Sequence, residues 1–278
     1  MKIGFLGTGT ISASMVEGLI RSAFDISSII ISPRNAQISE RLSQKYDKVM
    51  VAENNQQLLD HSDCVFLCLP NQIAEEVLRL LHFRPEQLVV SVLAMAKAEE
   101  VEEWINHKVY RAVPLPFVAE GKNLTPIYPD HPFLRSLFDA LGGTLVLDAE
   151  DQFNLFMTAG SLMGVYFNFI ETAHQWFITQ GLKKQQSADF LAMMFGNLTD
   201  EMRRIAADNS SKTLDFAQLE KEFSTKGGTN EFLSSCFSHQ GGKKALIMAL
   251  DTTLQKINAS PDDAASYQKN TTKSICCV

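Results

Sequence analysis

The sequence predicts an α/β domain with a mostly parallel, doubly wound sheet, followed by an all-α domain. Three observations lead to this prediction. Short apolar runs alternate with helical patterns through the first half of the 278 residues, a glycine-rich turn joins the first run to the first helix, and only helical patterns follow residue 150. Strands that alternate with helices indicate a parallel sheet that is covered on both faces.

Apolar and β-branched runs bounded by turn residues predict the strands. In chain order they are Lys2–Leu6, Ser28–Ser32, Val49–Ala52, Cys64–Leu69, Leu88–Leu93, Tyr110–Val113 and Gly142–Asp148. Apolar residues at helical spacing predict the helices between them. These are a helix directly after Gly9, then Ala36–Tyr46, Asn54–Asp60 and Ile73–Leu81.

The first turn carries the pattern of a dinucleotide-binding site. Gly7 suits the tight turn, Gly9 lets the backbone approach a pyrophosphate, and a small residue at the third position, here Ser12, lets helix and strand pack closely. The anion would lie on the helix N-terminus. The predicted cofactor contacts at this turn are Gly7, Thr8, Gly9, Thr10 and Ile11. The alternative is an ordinary tight turn that binds no nucleotide.

The end of the second strand bears on the choice of cofactor. A carboxylate at this place would accept from a ribose hydroxyl, but the chain has Ser32-Pro-Arg34-Asn35 and no acid. Arg34 offers bidentate donors to a 2′-phosphate and Ser32 offers a third, which favours NADP(H) over NAD(H). The alternative for Arg34 is a solvated loop arginine. Ligands bind at the carboxyl ends of strands in such sheets, which adds Leu69, Pro70 and Pro114 to the predicted contacts.

Helical patterns fill the remainder of the chain. They cover Ala149–Thr158, Ser161–Gln180, Lys184–Ala207, Asp215–Phe223, Asn230–Ser238 and Lys243–Ile257. We therefore expect an NAD(P)-binding Rossmann domain over residues 1–149, a helical dimerisation and substrate domain over 150–258, and a disordered tail over 259–278. The helix from Ser161 is apolar around most of its circumference, which indicates burial across a subunit interface.

Composition narrows the class of protein further. A net charge of −7 argues against a nucleic-acid partner. No uninterrupted apolar run has the roughly 18 residues of a membrane span, so we expect no membrane partner. Cys64 and Cys68 lie in an apolar strand without nearby histidine, so we expect core thiols and no metal. The five cysteines favour a reducing, cytoplasmic location; the Cys276–Cys277 pair has no assigned role.

Four segments, in order, resemble the pyrroline-5-carboxylate reductase family over about residues 1 to 258. They are the opening Met1-Lys-Ile-Gly-Phe-Leu-Gly-Thr-Gly-Thr-Ile11, Arg111-Ala-Val-Pro-Leu-Pro116 with Glu120-Gly121, Ala159-Gly-Ser161, and Phe223-Ser-Thr-Lys-Gly-Gly-Thr-Asn230. The resemblance implies reduction of a cyclic imine to proline with NAD(P)H, and a helical domain that interlocks with a partner to form a homodimer or higher oligomer.

The chain departs from the family pattern mostly in the substrate half. Leu115 alone replaces an Asn-Thr pair between two prolines, and residues 162–165 replace Gly-Pro-Ala-Tyr. Lys226 replaces a proline. Asn230 replaces a threonine whose hydroxyl is thought to reach the substrate nitrogen. These departures suggest either another substrate or loss of the reaction.

The residues also predict how a substrate would be held. The N–H groups of Gly227 and Gly228 precede a helix and would cradle a carboxylate, with Lys226 adding positive charge. Ser161, Thr229 and Asn230 are candidate catalytic residues that would orient the substrate or a proton-relaying water. The alternatives are a solvated lysine and helix caps. His174 is a possible proton donor, although a histidine on such a helix is more often a satisfied core or interface residue.

Two further functions remain open. A β-hydroxyacid dehydrogenase would use a lysine on the helix that opens the second domain, and no lysine lies between Gly160 and Gly181. An NADP-binding protein without turnover would show cofactor binding but no imine reduction.

Overall fold

A computed structural model of the chain describes residues 1–208 and 214–259. Their contacts divide the chain into two compact units, Met1–Gly160 and a second unit that begins at Ser161. Residues 260–278, which include Cys276–Cys277 and all but the first residue of the predicted tail, lie outside the described residues.

The first unit contains eight strands. They are β1 (Lys2–Leu6), β2 (Ser28–Ile31), β3 (Val49–Val51), β4 (Cys64–Leu67), β5 (Leu88–Ser91), β6 (Val109–Ala112), β7 (Thr125–Tyr128) and β8 (Thr144–Val146). They form one sheet in the order β3-β2-β1-β4-β5-β6-β7-β8, and only the β6–β7 pairing is antiparallel. The strand order reverses between β1 and β4, which makes this the switch point of a doubly wound sheet. The predicted fold of this half is confirmed.

The helices of the first unit cover both faces of the sheet. They are α1 (Thr10–Arg21), α2 (Ala36–Lys45), α3 (Asn55–Asp60), α4 (Asn71–Leu78), α5 (Ala98–Ile105), α6 (Pro132–Asp139) and α7 (Gln152–Gly160), with a 3₁₀ helix at Pro116–Glu120. Alternate strand residues enter opposite cores. Phe66 of β4 stacks on Phe5 at 5.2 Å between ring centroids in one core, while Val65 and Leu67 lie in the other. This period of two explains why the strands read as continuous apolar runs.

Three elements of the first unit have no counterpart among the predicted ones. β7 contains Pro126, which a strand interior tolerates only in special positions. Here β7 is paired on both sides, and the N–H of Val113, just after β6, donates to the Pro126 carbonyl oxygen at 3.1 Å. α6 begins with Pro132, a residue that suits a first helical turn but resembles a loop signal. α5 is an eight-residue helix in which four glutamates lie among the apolar residues.

The division between the units falls after Gly160, about ten residues beyond the expected boundary. The reason is α7, whose Phe153 is fully buried and lies under the Arg111 guanidinium, 4.7 Å from ring centroid to Cζ. That contact attaches α7 to the sheet domain, although its sequence has the same helical pattern as the segments that follow.

The second unit is helical, as predicted. Its described helices are α8 (Leu162–Thr179), α9 (Lys184–Asp208), α10 (Phe216–Glu222), α11 (Thr229–His239) and α12 (Gly242–Asn258). Among its described residues only His174, Ser187 and Leu191 are buried. Large apolar side chains are exposed instead, for example Phe167 at 68% and Phe232 at 72%. A single copy of this unit therefore has almost no core of its own.

The helical segment Gln152–Thr179 is long and apolar enough, by length and composition, to cross a membrane, and 11% of its apolar window is buried. The expectation from uninterrupted apolar runs missed it, because polar residues separate its apolar ones. Such a segment also occurs in proteins that cover it with another chain.

Gly18 is expected to be required for packing α1 against the 3₁₀ helix. An added Cβ would lie 2.2 Å from the Val118 carbonyl oxygen, so Gly18→Ala should lower the free energy of unfolding by about 1–3 kcal/mol. Gly196→Ala is the matched control, because a Cβ at this helical glycine meets nothing within 4 Å. Denaturant unfolding measures both. Equal stability of the two variants would contradict the close approach.

Candidate cofactor site

The turn between β1 and α1 lies against the chain just after β4. Gly7 has φ +105°, and an added Cβ would lie 2.4 Å from the Cys68 carbonyl oxygen. Both the backbone angle and the missing space require glycine at this position.

Gly9 is open where Gly7 is crowded. It is the N-cap of α1, the helix has no side-chain cap, and an added Cβ would meet no described heavy atom within 4 Å. No side-chain cap therefore occupies the N–H groups at the start of α1. An uncapped helix N-terminus beside open space is a site for an anionic group such as a pyrophosphate.

Ser32 forms hydrogen bonds with the turn between β1 and α1. Its Oγ accepts from Gly7 N–H at 3.0 Å and lies 3.1 Å from Thr8 Oγ1. The Thr8 hydroxyl donates its proton to the Ser32 carbonyl oxygen at 2.7 Å. Because a hydroxyl has one proton, the hydrogen bond between the two hydroxyls then takes its proton from Ser32. The Ser32 hydroxyl thus has partners within the turn, and its role as a third donor to a 2′-phosphate stays a prediction.

Ser12 occupies the third position of the glycine pattern. Its hydroxyl donates to the Gly7 carbonyl oxygen, and the side chain is fully buried. The serine therefore closes the turn on itself, which explains how a residue larger than glycine fits between helix and strand.

A groove of about 710 Å³ runs along the carboxyl ends of the strands beside this turn. Nine of the ten predicted cofactor residues line it; they are Gly7, Thr8, Gly9, Thr10, Ile11, Ser32, Arg34, Leu69 and Pro70. The tenth, Pro114, is buried after β6 and is not among the lining residues, so its contact with the cofactor stays a prediction.

The groove also contains residues that sequence reasoning missed. They are Ser12, Asn35, Ala36, Asn55, Cys68, Asn71, Val77, Val92 and Ala94. Cys68 and Val92 directly follow the ends of β4 and β5. The rule that ligands bind at the carboxyl ends of strands could therefore have predicted these two.

The end of the groove beside β2 has the character of a phosphate site. Arg34 is exposed there, with Asn35 and Asn55 in the same lining. The Asn35 side chain accepts from Ile38 N–H at 3.3 Å and caps α2. Arg34 and Asn55 are thus the polar side chains of this end that are placed to receive a ligand.

The thiol in the groove is not a nucleophile. Burial raises the pKa of Cys68 to about 12, and a hydrogen bond with Ser12 acts weakly in the opposite direction. Burial also raises the pKa of Cys64, with Asp63 contributing in the same direction. Both thiols stay protonated at neutral pH, which agrees with their predicted role as core residues.

The predicted substrate loop precedes α11 in the second unit. Gly227 has φ +74°, and its N–H donates to Glu231 Oε2 at 2.6 Å. The Gly228 N–H donates to the Thr225 carbonyl oxygen at 2.8 Å. The two N–H groups expected to cradle a carboxylate are therefore both engaged within the loop, and Lys226 beside them is exposed.

The predicted catalytic residues occupy helix ends of the second unit. Asn230 donates through Nδ2 to the Phe223 carbonyl oxygen at 2.8 Å, which ties the start of α11 to the end of α10. Thr229 is the first residue of α11 and is exposed. Ser161 is the N-cap residue of α8, but its side chain makes no capping hydrogen bond. The alternative that its hydroxyl caps the helix is therefore not observed.

His174 is a satisfied interior residue. Its Nδ1 lies 2.8 Å from Ser187 Oγ, and both side chains are buried between α8 and α9. A structural role in the interior therefore describes this histidine better than a role as a proton donor. Over residues 1–208 and 214–259, no three His, Cys, Asp or Glu side chains are grouped to hold a metal ion.

Comparison with known proteins supports the interpretation of this groove. Residues 2–95 match a family model described as NADP oxidoreductase coenzyme F420-dependent. Pyrroline-5-carboxylate reductase 2 of Bacillus subtilis is 23% identical over 273 residues, which are 92% of this chain and 93% of that protein. The Pseudomonas aeruginosa reductase is 23% identical over 92% of this chain and 95% of its own. ComE operon protein 4 of Bacillus subtilis is 28% identical, but the match covers 41% of this chain and 43% of that protein.

Solved structures establish the same fold. Pyrroline-5-carboxylate reductase from Streptococcus pyogenes superposes with a TM-score of 0.76 at 22% identity, covering 92% of this chain and 98% of that one. The pyrroline carboxylate reductase of Plasmodium falciparum, determined with NADP bound, gives 0.75 at 15% identity over 92% and 97%.

The fold and the groove define a nicotinamide-dependent oxidoreductase. Two sequence relatives extend along nearly the whole chain, and with them the resemblance predicted from the four segments is confirmed: the chain is similar to pyrroline-5-carboxylate reductases over 92% of its length, at 23% identity. The prediction of NADP(H) is confirmed by the NADP oxidoreductase model that matches residues 2–95.

Proposed function

We propose that this protein is an NADPH-dependent reductase of a cyclic imine carboxylate, of the kind that converts pyrroline-5-carboxylate to proline. The observation that carries the proposal is the groove that joins the uncapped start of α1 to Arg34. The relatives named as pyrroline-5-carboxylate reductases support the substrate class.

The residues of the first unit would hold NADPH along the groove. The turn at Gly9 and the start of α1 would bind the pyrophosphate, and Arg34 with Asn55 would bind the 2′-phosphate. Leu69 and Pro70 would pack beside the nicotinamide half on the far side of the switch point. When bound, NADPH supplies the hydride that the C=N carbon accepts.

The loop before α11 would bind the substrate carboxylate in a modified way. Because Gly227 and Gly228 use their N–H groups internally, the first N–H groups of α11 and the Lys226 ammonium are the remaining donors to an anion. Thr229 would orient the imine or a proton-relaying water. Ser161 would donate to the substrate or the nicotinamide amide.

One observation favours the alternative of an NADP-binding protein without turnover. Asn230 stands where the resemblance implies a threonine hydroxyl near the substrate nitrogen, and its amide is used to hold Phe223. Activity measurements separate the two functions.

The test of the proposal is NADPH oxidation with pyrroline-5-carboxylate, compared with piperideine carboxylates and with NADH. We expect NADPH oxidation with at least one of these imines. Gly9→Ala is the control: it should remain folded, since its Cβ meets nothing, but lose activity because the methyl group fills the pyrophosphate approach. Tight NADPH binding with no oxidation of any imine would establish the non-catalytic alternative instead.

Arg34 is expected to select NADPH. Arg34→Ala should weaken NADPH binding roughly 10- to 100-fold, since it removes charge-assisted hydrogen bonds to the 2′-phosphate, and should leave NADH binding unchanged. Titration of the protein with each cofactor measures both. Arg79→Ala is the matched control, because Arg79 is exposed and pairs with Glu75 on α4 instead of lining the groove. An equal loss for both cofactors would contradict this role.

We also propose a homodimer, formed through the helices of the second unit, and a cytoplasmic location. The nearly coreless second unit and its exposed apolar side chains support the dimer, because burial of that surface by a second copy would supply the missing core. The free thiols Cys64, Cys68 and Cys236 agree with a reducing compartment.

Light scattering should give a mass twice that of one chain. Phe167→Glu is expected to shift the protein towards a monomer or an aggregate, since it places a charge on the surface to be covered. Leu80→Glu is the matched control, an exposed leucine of the first unit that should leave the mass unchanged. A monomer that binds lipid vesicles through Gln152–Thr179 would overturn the proposal.

A further inference from the structure

Arg111 is a buried arginine in the first unit that the proposed chemistry does not use. It belongs to β6 and is 3% exposed. Its guanidinium donates to Glu150 Oε1 at 2.8 Å and to the Leu93 carbonyl oxygen at 3.3 Å, and it lies over the Phe153 ring. A buried cation is costly to leave unpaired, so this arrangement depends on Glu150.

Glu150 connects the same arginine to a second point of the chain. Its Oε1 also accepts from the N–H of Ala98 at 2.6 Å, and Ala98 is the first residue of α5. Leu93 follows β5, so the pair holds both ends of the loop that runs from Leu93 to Ala98.

That loop forms one wall of the groove. Ala94 lines it, together with Val92 just before the loop, and Met95 N–H donates to the Oδ1 of Asn71, another lining residue, at 3.4 Å. These residues follow β4 and β5, at the opposite end from Arg34 after β2. A dinucleotide that crosses the switch point with its adenosine half over β2 brings its nicotinamide half to the β5 side.

We propose that Arg111 and Glu150 are a positioning pair that fixes the nicotinamide end of the groove. The inference rests on the proposed function, since it takes NADPH as the ligand. The pair contacts the loop backbone through Leu93 and Ala98 and leaves the adenosine end untouched. Weakening it lets the loop shift and loosens the wall beside the nicotinamide ring, while the phosphate contacts at Arg34 are retained.

A merely structural ion pair would behave differently. It would change the stability of the whole unit and affect every ligand of the groove alike. Two ligands separate these roles: 2′,5′-ADP occupies only the adenosine and phosphate end, whereas NADPH extends to the loop.

The experiment measures dissociation constants of both ligands for the full-length wild type, Glu150→Gln and Arg111→Lys, with thermal unfolding in parallel. Gln keeps a carbonyl oxygen for Ala98 but removes the charge, and Lys keeps the charge but removes the fork that reaches Leu93. Glu75→Gln is the matched control, because Glu75 forms an exposed pair with Arg79 outside the groove.

We expect both variants to bind 2′,5′-ADP within about twofold of the wild type and NADPH at least about fivefold more weakly, as loss of a buried charge contact implies. Equal weakening of the two ligands, or no change in either, would overturn the inference alone. If one variant fails to unfold cooperatively, the other decides in the same way. A wild type that binds neither ligand would overturn the proposed function itself, and the inference with it.

Discussion

The close approach of the β1–α1 turn to the end of β4 is the constraint on which the first unit depends. Gly7 leaves no room for a side chain against Cys68, and its N–H is held by Ser32 at the end of β2. Three strand ends are thereby tied together at the point where the strand order reverses. The backbone is closely packed at Gly7, whereas at Gly9 an added Cβ would meet nothing within 4 Å, and this open space is part of the groove.

The hydrogen-bond partners of the polar residues distinguish those that build the groove from those that can bind a ligand. Thr8 and Ser32 form hydrogen bonds with each other, and the Ser12 hydroxyl donates to the Gly7 carbonyl oxygen. Arg34 and Asn55 stand at the rim instead. The same accounting in the second unit shows Asn230 and the Gly227 N–H engaged in joining α10, the loop and α11. The first unit thus keeps more polar groups available to a ligand than the loop before α11 does. The departures from the resembled pattern also lie mostly in the second half of the chain.

The second unit presents a different physical problem. Its described helices bury three side chains and expose many large apolar ones, so burial within this unit supplies little stability. An apolar helix in such a unit resembles a membrane span in composition because both environments exclude water. The proposed second copy would cover this apolar surface without requiring a lipid phase.

The sequence by itself determined that strands alternate with helices in the first half, the position of the glycine turn and the helical second half. These follow from local rules: alternate residues of β1 and β4 enter opposite cores, and only glycine fits at Gly7. It also located nine groove residues, since strand ends share one edge of a parallel sheet. Only the tertiary structure showed that the Ser32 hydroxyl forms hydrogen bonds within the turn, that β7 with its proline joins the sheet, and that Arg111 pairs with Glu150. These pairings join residues far apart in the chain. The type of a residue does not determine which distant group its hydrogen bond or ion pair will involve, because the fold sets that distance.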